Sequence, residues 1–279
     1  MIPYTRKTLP NGLTVVVNRD RASKLAAVNI LYRVGARNEN PARTGFAHLF
    51  EHLMFRGTRT VENFDLPVQM ASGDNNAFTN NDYTDFYITL PKDNLETALW
   101  LESDRMEGLD ITPAKLEAEK KVVIEEFRQR YLNQPYGDQT MLLRALAYKV
   151  HPYRWAAIGL ATDHIAGATL ADVESFYRTH YRPSNAILSI SADMEEERML
   201  ELAEKWFAPL ADHPSETAAI PQEPVQTQAR RQEVERDVPA STVTVAYHMC
   251  ARTKPDFYTA DLVSDLLSGG DSGRIYTHL

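Results

Sequence analysis

His48-Leu49-Phe50-Glu51-His52-Leu53-Met54-Phe55-Arg56-Gly57 follows two stretches that read as strands. The apolar spacing becomes helical from Gly45 to Phe55, and Gly57 supplies a C-terminal stop. On a helix each residue advances about 100°, so Glu51 lies about −60° and His52 about +40° around the axis from His48. All three side chains point one way. Two imidazoles at i and i+4 can both reach one tetrahedral Zn²⁺ at roughly 2.0 to 2.1 Å, and a carboxylate beside them can reach a water held by that ion. Glu51 is then the general base, taking a proton from the water and passing it to the leaving amine of a peptide bond. An ordinary helix with two surface histidines and a glutamate fits the same pattern, because His-x-x-Glu-His fixes only three positions.

Upstream, Asn11-Gly12 is a turn signal before the β-branched run Leu13 to Val17, and Ala26 to Val34 reads as a second strand completing a hairpin. Downstream, Asp74 to Asn80 and Tyr83 to Leu90 alternate around Asn80-Asn81-Asp82 as two more strands. Helices are predicted over 94–107, 113–132, 138–149 and 170–180, then a strand over 186–192 and a helix over 195–207. In the helix 94–107, Leu95, Ala98, Leu99, Leu101 and Met106 read as core packing. These elements predict an α+β fold in two layers, a mostly antiparallel sheet with helices packed on one face. Pro214, Pro221 and Pro224 mark a linker, 212–230, between a first domain, 1–211, and a second segment, 231–279. In the latter, Ser241 to Cys250 reads as a strand and Phe257 to Leu267 as a helix, too little for an independent core.

Thirty basic against 38 acidic residues, a net charge of −8, give no electrostatic footing for nucleic acid. The lone Cys250 rules out an internal disulfide or a Cys-rich zinc site, so a metal must be held by His and carboxylate. No apolar run is long enough to span a membrane, and no export signal stands at the start. The chain as given therefore reads as cytoplasmic, whereas a leader removed ahead of Met1 would place it in the periplasm.

A catalytic zinc needs a third protein ligand. The helix from Ala114 to Leu132 offers Glu117, Glu119, Glu125 and Glu126. With Glu126 as origin, Glu119, Val122 and Val123 fall within about 60° of it, while Glu125 lies about 100° away beside Lys121. Carboxylates on an apolar face require neutralising partners, and a metal is one of the few that suffice. Glu117 and Glu125 read as solvated helix charges. The remaining histidines, His151, His164, His180, His213, His248 and His278, have no partner at ligand spacing.

The chain resembles the inverted zinc peptidases of the insulinase, pitrilysin and mitochondrial processing peptidase family. The resemblance rests on His48 through Thr58, then on Glu126 in Val122-Val123-Ile124-Glu125-Glu126, with 73 residues between His52 and Glu126. Val34-Gly35-Ala36-Arg37-Asn38-Glu39, Asn76-Ala77-Phe78-Thr79, Phe176-Tyr177-Arg178 and Tyr181-Arg182-Pro183 follow in family order. It implies a zinc-dependent endopeptidase with one zinc per chain held by His48, His52 and Glu126. Glu119 would then orient a ligand histidine. Asn76, Ala77, Phe78 and Thr79 would form the edge strand to which an extended peptide adds. Family members fold as two similar repeats closing like a clam shell. A homodimeric or heterodimeric partner, or the second repeat, supplies an Arg/Tyr pair near the zinc; Arg274 and Tyr276 are not taken to be that pair. The first repeat reads as complete and the second as truncated, so the chain is expected to bind zinc but cleave peptides poorly. The rival expectation, from relatives that have lost catalysis, is a non-catalytic or partner-dependent subunit of a peptidase assembly.

Overall fold

The computed structural model describes residues 2–213, 215 and 218–278. Six strands, β1 (Thr5–Thr8), β2 (Thr14–Arg19), β3 (Leu25–Tyr32), β4 (Asp74–Thr79), β5 (Thr84–Pro91) and β6 (Ala186–Ala192), form one sheet in the order β1-β2-β6-β3-β5-β4. The hairpin expected between the strands at 13–17 and 26–34 does not form. The turn at Asn11-Gly12 instead joins β2 to β1, a strand not foreseen, and β6 inserts between β2 and β3, parallel to β2 and antiparallel to β3. Nothing in the local pattern distinguishes these pairings, since β6 arrives from more than 150 residues away.

The helices are α1 (Phe46–Leu53), α2 (Asp65–Met70), α3 (Leu95–Glu107), α4 (Pro113–Phe127), α5 (Gln139–Ala147), α6 (Thr162–Ala166), α7 (Leu170–His180), α8 (Glu196–Phe207), α9 (Asp256–Ser268) and α10 (Arg274–His278). In β3, Ala26, Val28, Ile30 and Tyr32 are buried while Leu25 and Ala27 are exposed, the alternation of a sheet covered on one face. On the buried face α3 packs on β3 and β5, α8 on β2, and α1 on β4. Leu95, Ala98, Leu99, Leu101 and Met106 of α3 are in that core.

Helix α4 starts where Thr112 accepts the Lys115 N–H and Pro113 takes the first turn, a position whose missing N–H costs nothing. Its buried stripe is Leu116, Glu119, Lys120, Val123 and Phe127, whereas Val122, expected on that stripe, is exposed. The α-helix ends five residues sooner than expected and continues as one π-turn, Arg128–Leu132.

By contacts the chain separates into two units, 1–238 and 239–279. No strand forms over 241–250: Val243, Val245, Tyr247 and Met249 are exposed, and alternation yields a strand only where a neighbour completes the ladder. Residues 239–279 hold α9 and α10, which pack on each other. No helix among the described residues is long and apolar enough to cross a membrane.

His180, at the end of α7, is buried against the Phe176 ring 4.6 Å away. Burial, helped by Arg182, pushes its pKa from an ordinary 6.5 down to about 4. Between those values the unfolded chain binds a proton that the folded chain refuses. Its contribution to stability is therefore complete above pH 6.5 and is lost as the pH falls towards 4, by about 2 to 4 kcal/mol. Urea unfolding of His180→Leu against the parent should show a shallower loss over that interval; parallel curves would exclude His180 as a source of acid sensitivity.

Candidate metal centre

Helix α1 is held at both its start and its middle. Gly45, at the N-cap, has φ +93°, and a Cβ there would lie 2.7 Å from the Ile158 carbonyl oxygen, so a side chain is both strained and obstructed. The buried Glu39 carboxylate accepts the N–H groups of Gly45 and Ala47, each at 2.9 Å, and the Trp155 indole N–H at 3.1 Å, satisfying donors at the helix start that have no helical partner. Leu49 and Phe50 are fully buried, Phe50 stacking on Phe176 and Tyr181 at 5.2 Å each. With that face sunk in the core, His48, Glu51 and His52 turn together towards α4.

The donor atoms of His48, His52 and Glu126 all lie within 4.8 Å of one another. Glu126 Oε2 is 3.7 Å from His48 Nε2 and 3.4 Å from His52 Nε2. Ligands about 2.0 to 2.1 Å from a tetrahedral zinc are about 3.3 Å apart, so the spacing is close to what such an ion needs. Two imidazoles and a carboxylate also suit zinc chemically. Burial pushes His48 down to about 4, Glu126 opposing, which leaves its imidazole neutral with a free lone pair. For His52, burial is outweighed by Glu119 and Glu126, which raise it to about 9. The pair of carboxylates thus creates a field that favours positive charge at this point, and Glu126 itself is held below its usual range by hydrogen bonding to His52.

Glu119, 2% exposed at its side chain, stands 3.4 Å from His52 Nδ1, the nitrogen facing away from Glu126, and 2.6 Å from Arg56 Nε. Burial would raise its pKa, but His52 and Arg56 beside it bring it below the usual value. Glu125 and Glu117 have side chains more than half exposed, Glu125 facing Arg128 and Glu117 facing Lys120. Glu51 is raised by burial, with a hydrogen bond from Thr79 pulling the other way, and its Oε2 has no hydrogen-bond partner among the described residues.

Thr79 ends β4, the edge strand on this side of the sheet. On the same strand Asn76 Oδ1 accepts the Ala77 N–H at 2.8 Å, and Phe78 is exposed beside Tyr83. So the structure brings His48, Glu51, His52, Glu119 and Glu126 into one cluster and sets Thr79 against it. Two contacts were not anticipated: Arg130 on Glu126 at 3.0 Å and Arg56 on Glu119. Arg130 lies four residues beyond Glu126, so helical spacing offered a signal for the first, whereas Arg56 lies beyond the end of α1 and meets Glu119 on another helix, which no local spacing shows. No other histidine among the described residues belongs to a possible metal-holding group; His164, for example, accepts the Thr44 N–H at 3.1 Å.

A family model described as Insulinase (Peptidase family M16) matches residues 14–156, which include every member of this cluster, and one described as Peptidase M16 inactive domain matches residues 167–279. The chain is 34% identical over 278 residues to the zinc protease PqqE of Helicobacter pylori, covering 98% of this chain and 62% of that protein. It is 27% identical over 261 residues to the probable mitochondrial-processing peptidase subunit beta of Arabidopsis thaliana, covering 91% of this chain and 48% of that one. The chain thus spans between about half and two thirds of the length of these relatives. Among solved structures, a protease from Helicobacter pylori superposes over all of this chain and 68% of its own, with a TM-score of 0.90 and 32% identity. A peptidase M16 inactive domain from Pseudomonas fluorescens shares the fold, at a TM-score of 0.81 and 18% identity over 99% of this chain and 67% of that one. With half of its length matched by the family model and a relative this similar in structure, the chain belongs to the insulinase family of peptidases, peptidase family M16.

Proposed function

We propose that this chain carries the metal-binding and general-base residues of a zinc-dependent endopeptidase acting on extended peptides. The observation that carries the reading is the convergence of His48, His52 and Glu126 donor atoms within 4.8 Å, with Glu51 on the same turn of α1. Zinc held by those three residues would supply a Lewis acid for the scissile carbonyl and would acidify a water at its open position. Glu51 takes the proton from the attacking water at its unpaired oxygen and returns it to the leaving amine. Its burial supports that role, since a carboxylate with a raised pKa holds a proton more readily than an exposed one. Glu119 holds His52 through Nδ1, leaving Nε2 for the metal.

Substrate binds along β4, whose outer edge no strand among the described residues pairs. Asn76, Ala77, Phe78 and Thr79 give it main-chain hydrogen bonds, so recognition tolerates varied side chains. A second half or a partner subunit completes the site with an Arg/Tyr pair; in support, one relative is named as a subunit of a processing peptidase.

Elemental analysis should find about one zinc per chain in the parent and in Glu125→Gln, and a much reduced content in Glu126→Gln, because a catalytic zinc needs its third ligand. Zinc retained in Glu126→Gln but lost from Glu125→Gln would reverse the choice of ligand. Absence of hydrolysis of a quenched extended peptide by the zinc-loaded full-length protein would sink the peptidase reading and leave a non-catalytic subunit.

A further inference from the structure

Residues 218–238 contain no helix or strand, yet their charged side chains grip one stretch of the first unit. The Glu223 carboxylate accepts three consecutive backbone N–H groups, those of Lys149 at 2.8 Å, Val150 at 2.8 Å and His151 at 2.9 Å. Arg230 donates to the carbonyls of Leu146 at 3.0 Å and Ala147 at 2.8 Å, the last two residues of α5. Arg236 pairs with Asp138, at the start of α5, at 2.8 Å. The segment therefore runs antiparallel to α5, tied to both of its ends and to the chain just beyond.

That gripped chain leads directly to the site. Tyr153 donates its hydroxyl to Asp82 at 2.6 Å, on the turn between β4 and β5, and the same oxygen accepts Arg37 at 2.9 Å. Arg144 of α5 donates to Asn81 of that turn at 2.9 Å, and Asn81 in turn donates to the Trp155 carbonyl at 3.0 Å. Trp155 then bonds Glu39, whose carboxylate caps the first turn of α1. Gly35 lets the two sides close up, since a Cβ there would stand 2.5 Å from the Asn80 carbonyl oxygen. Residues 149–155, which carry one short 3₁₀ turn, thus join the end of β4 to the start of α1.

We propose that residues 218–238 form a clamp, and that Glu223 and Arg230 are positioning residues which set the substrate strand β4 relative to Glu51 through residues 146–155. Neither touches the cluster. The consequence for turnover rests on the peptidase reading above, but the mechanical coupling does not.

The test is backbone hydrogen exchange, read by mass spectrometry, on the full-length protein with Glu223→Ala, with Glu233→Ala as the exposed control. Exchange at Lys149 to His151 should quicken about tenfold or more in Glu223→Ala, and the effect should spread, several-fold, to Gly45–Ala47 and to Asn81–Tyr83. Zinc content should stay at the parent level. KM for an extended peptide should rise several-fold with kcat within about twofold, the signature of weakened substrate placement without loss of chemistry. Faster exchange confined to 149–151, or none at all, would overturn the clamp, and so would spreading exchange with KM unchanged in an active enzyme. The exchange measurement needs no peptidase activity, so a protein that cuts nothing refutes the proposed function while the clamp is still decided.

Discussion

Glu51→Gln should abolish most peptide hydrolysis, by about a hundredfold to ten-thousandfold, while zinc content matches the parent. Glutamine keeps the size of the side chain and an oxygen that can accept the Thr79 hydrogen bond. What it loses is the capacity to hold a proton between water attack and amine departure. Glu51 is not in the group whose donor atoms converge, His48, His52 and Glu126, so its neutral amide leaves that set intact. Elemental analysis alongside a quenched-peptide assay on the full-length protein separates the two effects. Zinc lost from the variant would move Glu51 among the ligands, and activity retained would place the base elsewhere.

The largest loss of stability should follow Glu102→Ala. Glu102 and Arg105 lie on α3 with side chains 0% and 1% exposed, joined by bonds of 2.7 and 2.5 Å. The guanidinium also lies over Phe86 at 4.2 Å and Phe64 at 4.5 Å, with Phe55 at 5.5 Å. Phe55 lies two residues beyond the end of the histidine helix. A guanidinium does not deprotonate in a protein, so without Glu102 it stays charged and buried, at a cost of about 3 to 5 kcal/mol. For a unit of this size each kcal/mol lowers Tm by roughly 2 to 4 °C, which gives a fall of roughly 6 to 20 °C. Arg105→Met should be milder: burial already raises the pKa of Glu102, so that carboxyl can neutralise itself, and a thioether packs well on aromatic rings. Thermal unfolding of the two variants checks the order. Equal losses would mean that the aromatic contacts of Arg105, not its charge, dominate.

The sequence by itself determined what depends on a few neighbouring residues. The 3.6-residue repeat sets His48, Glu51 and His52 on one face of α1 whatever surrounds it, and it sets Glu119 and Glu126 on nearly one line of α4. Strand alternation likewise located β4, β5 and β6 to within a residue or two. Tertiary structure alone decided whatever depends on a distant partner. β6 separates β2 from β3 because the burial of whole faces, not the turn at Asn11-Gly12, selects neighbours. Residues 241–250 alternate like a strand, but they pair with no strand among the described residues and are not one. Thr79 meets Glu51, Arg56 meets Glu119, and Glu223 binds amides more than 70 residues earlier in the chain. A charged or hydroxyl side chain has many possible partners of equal chemistry, and only the folded backbone brings one of them within hydrogen-bonding distance.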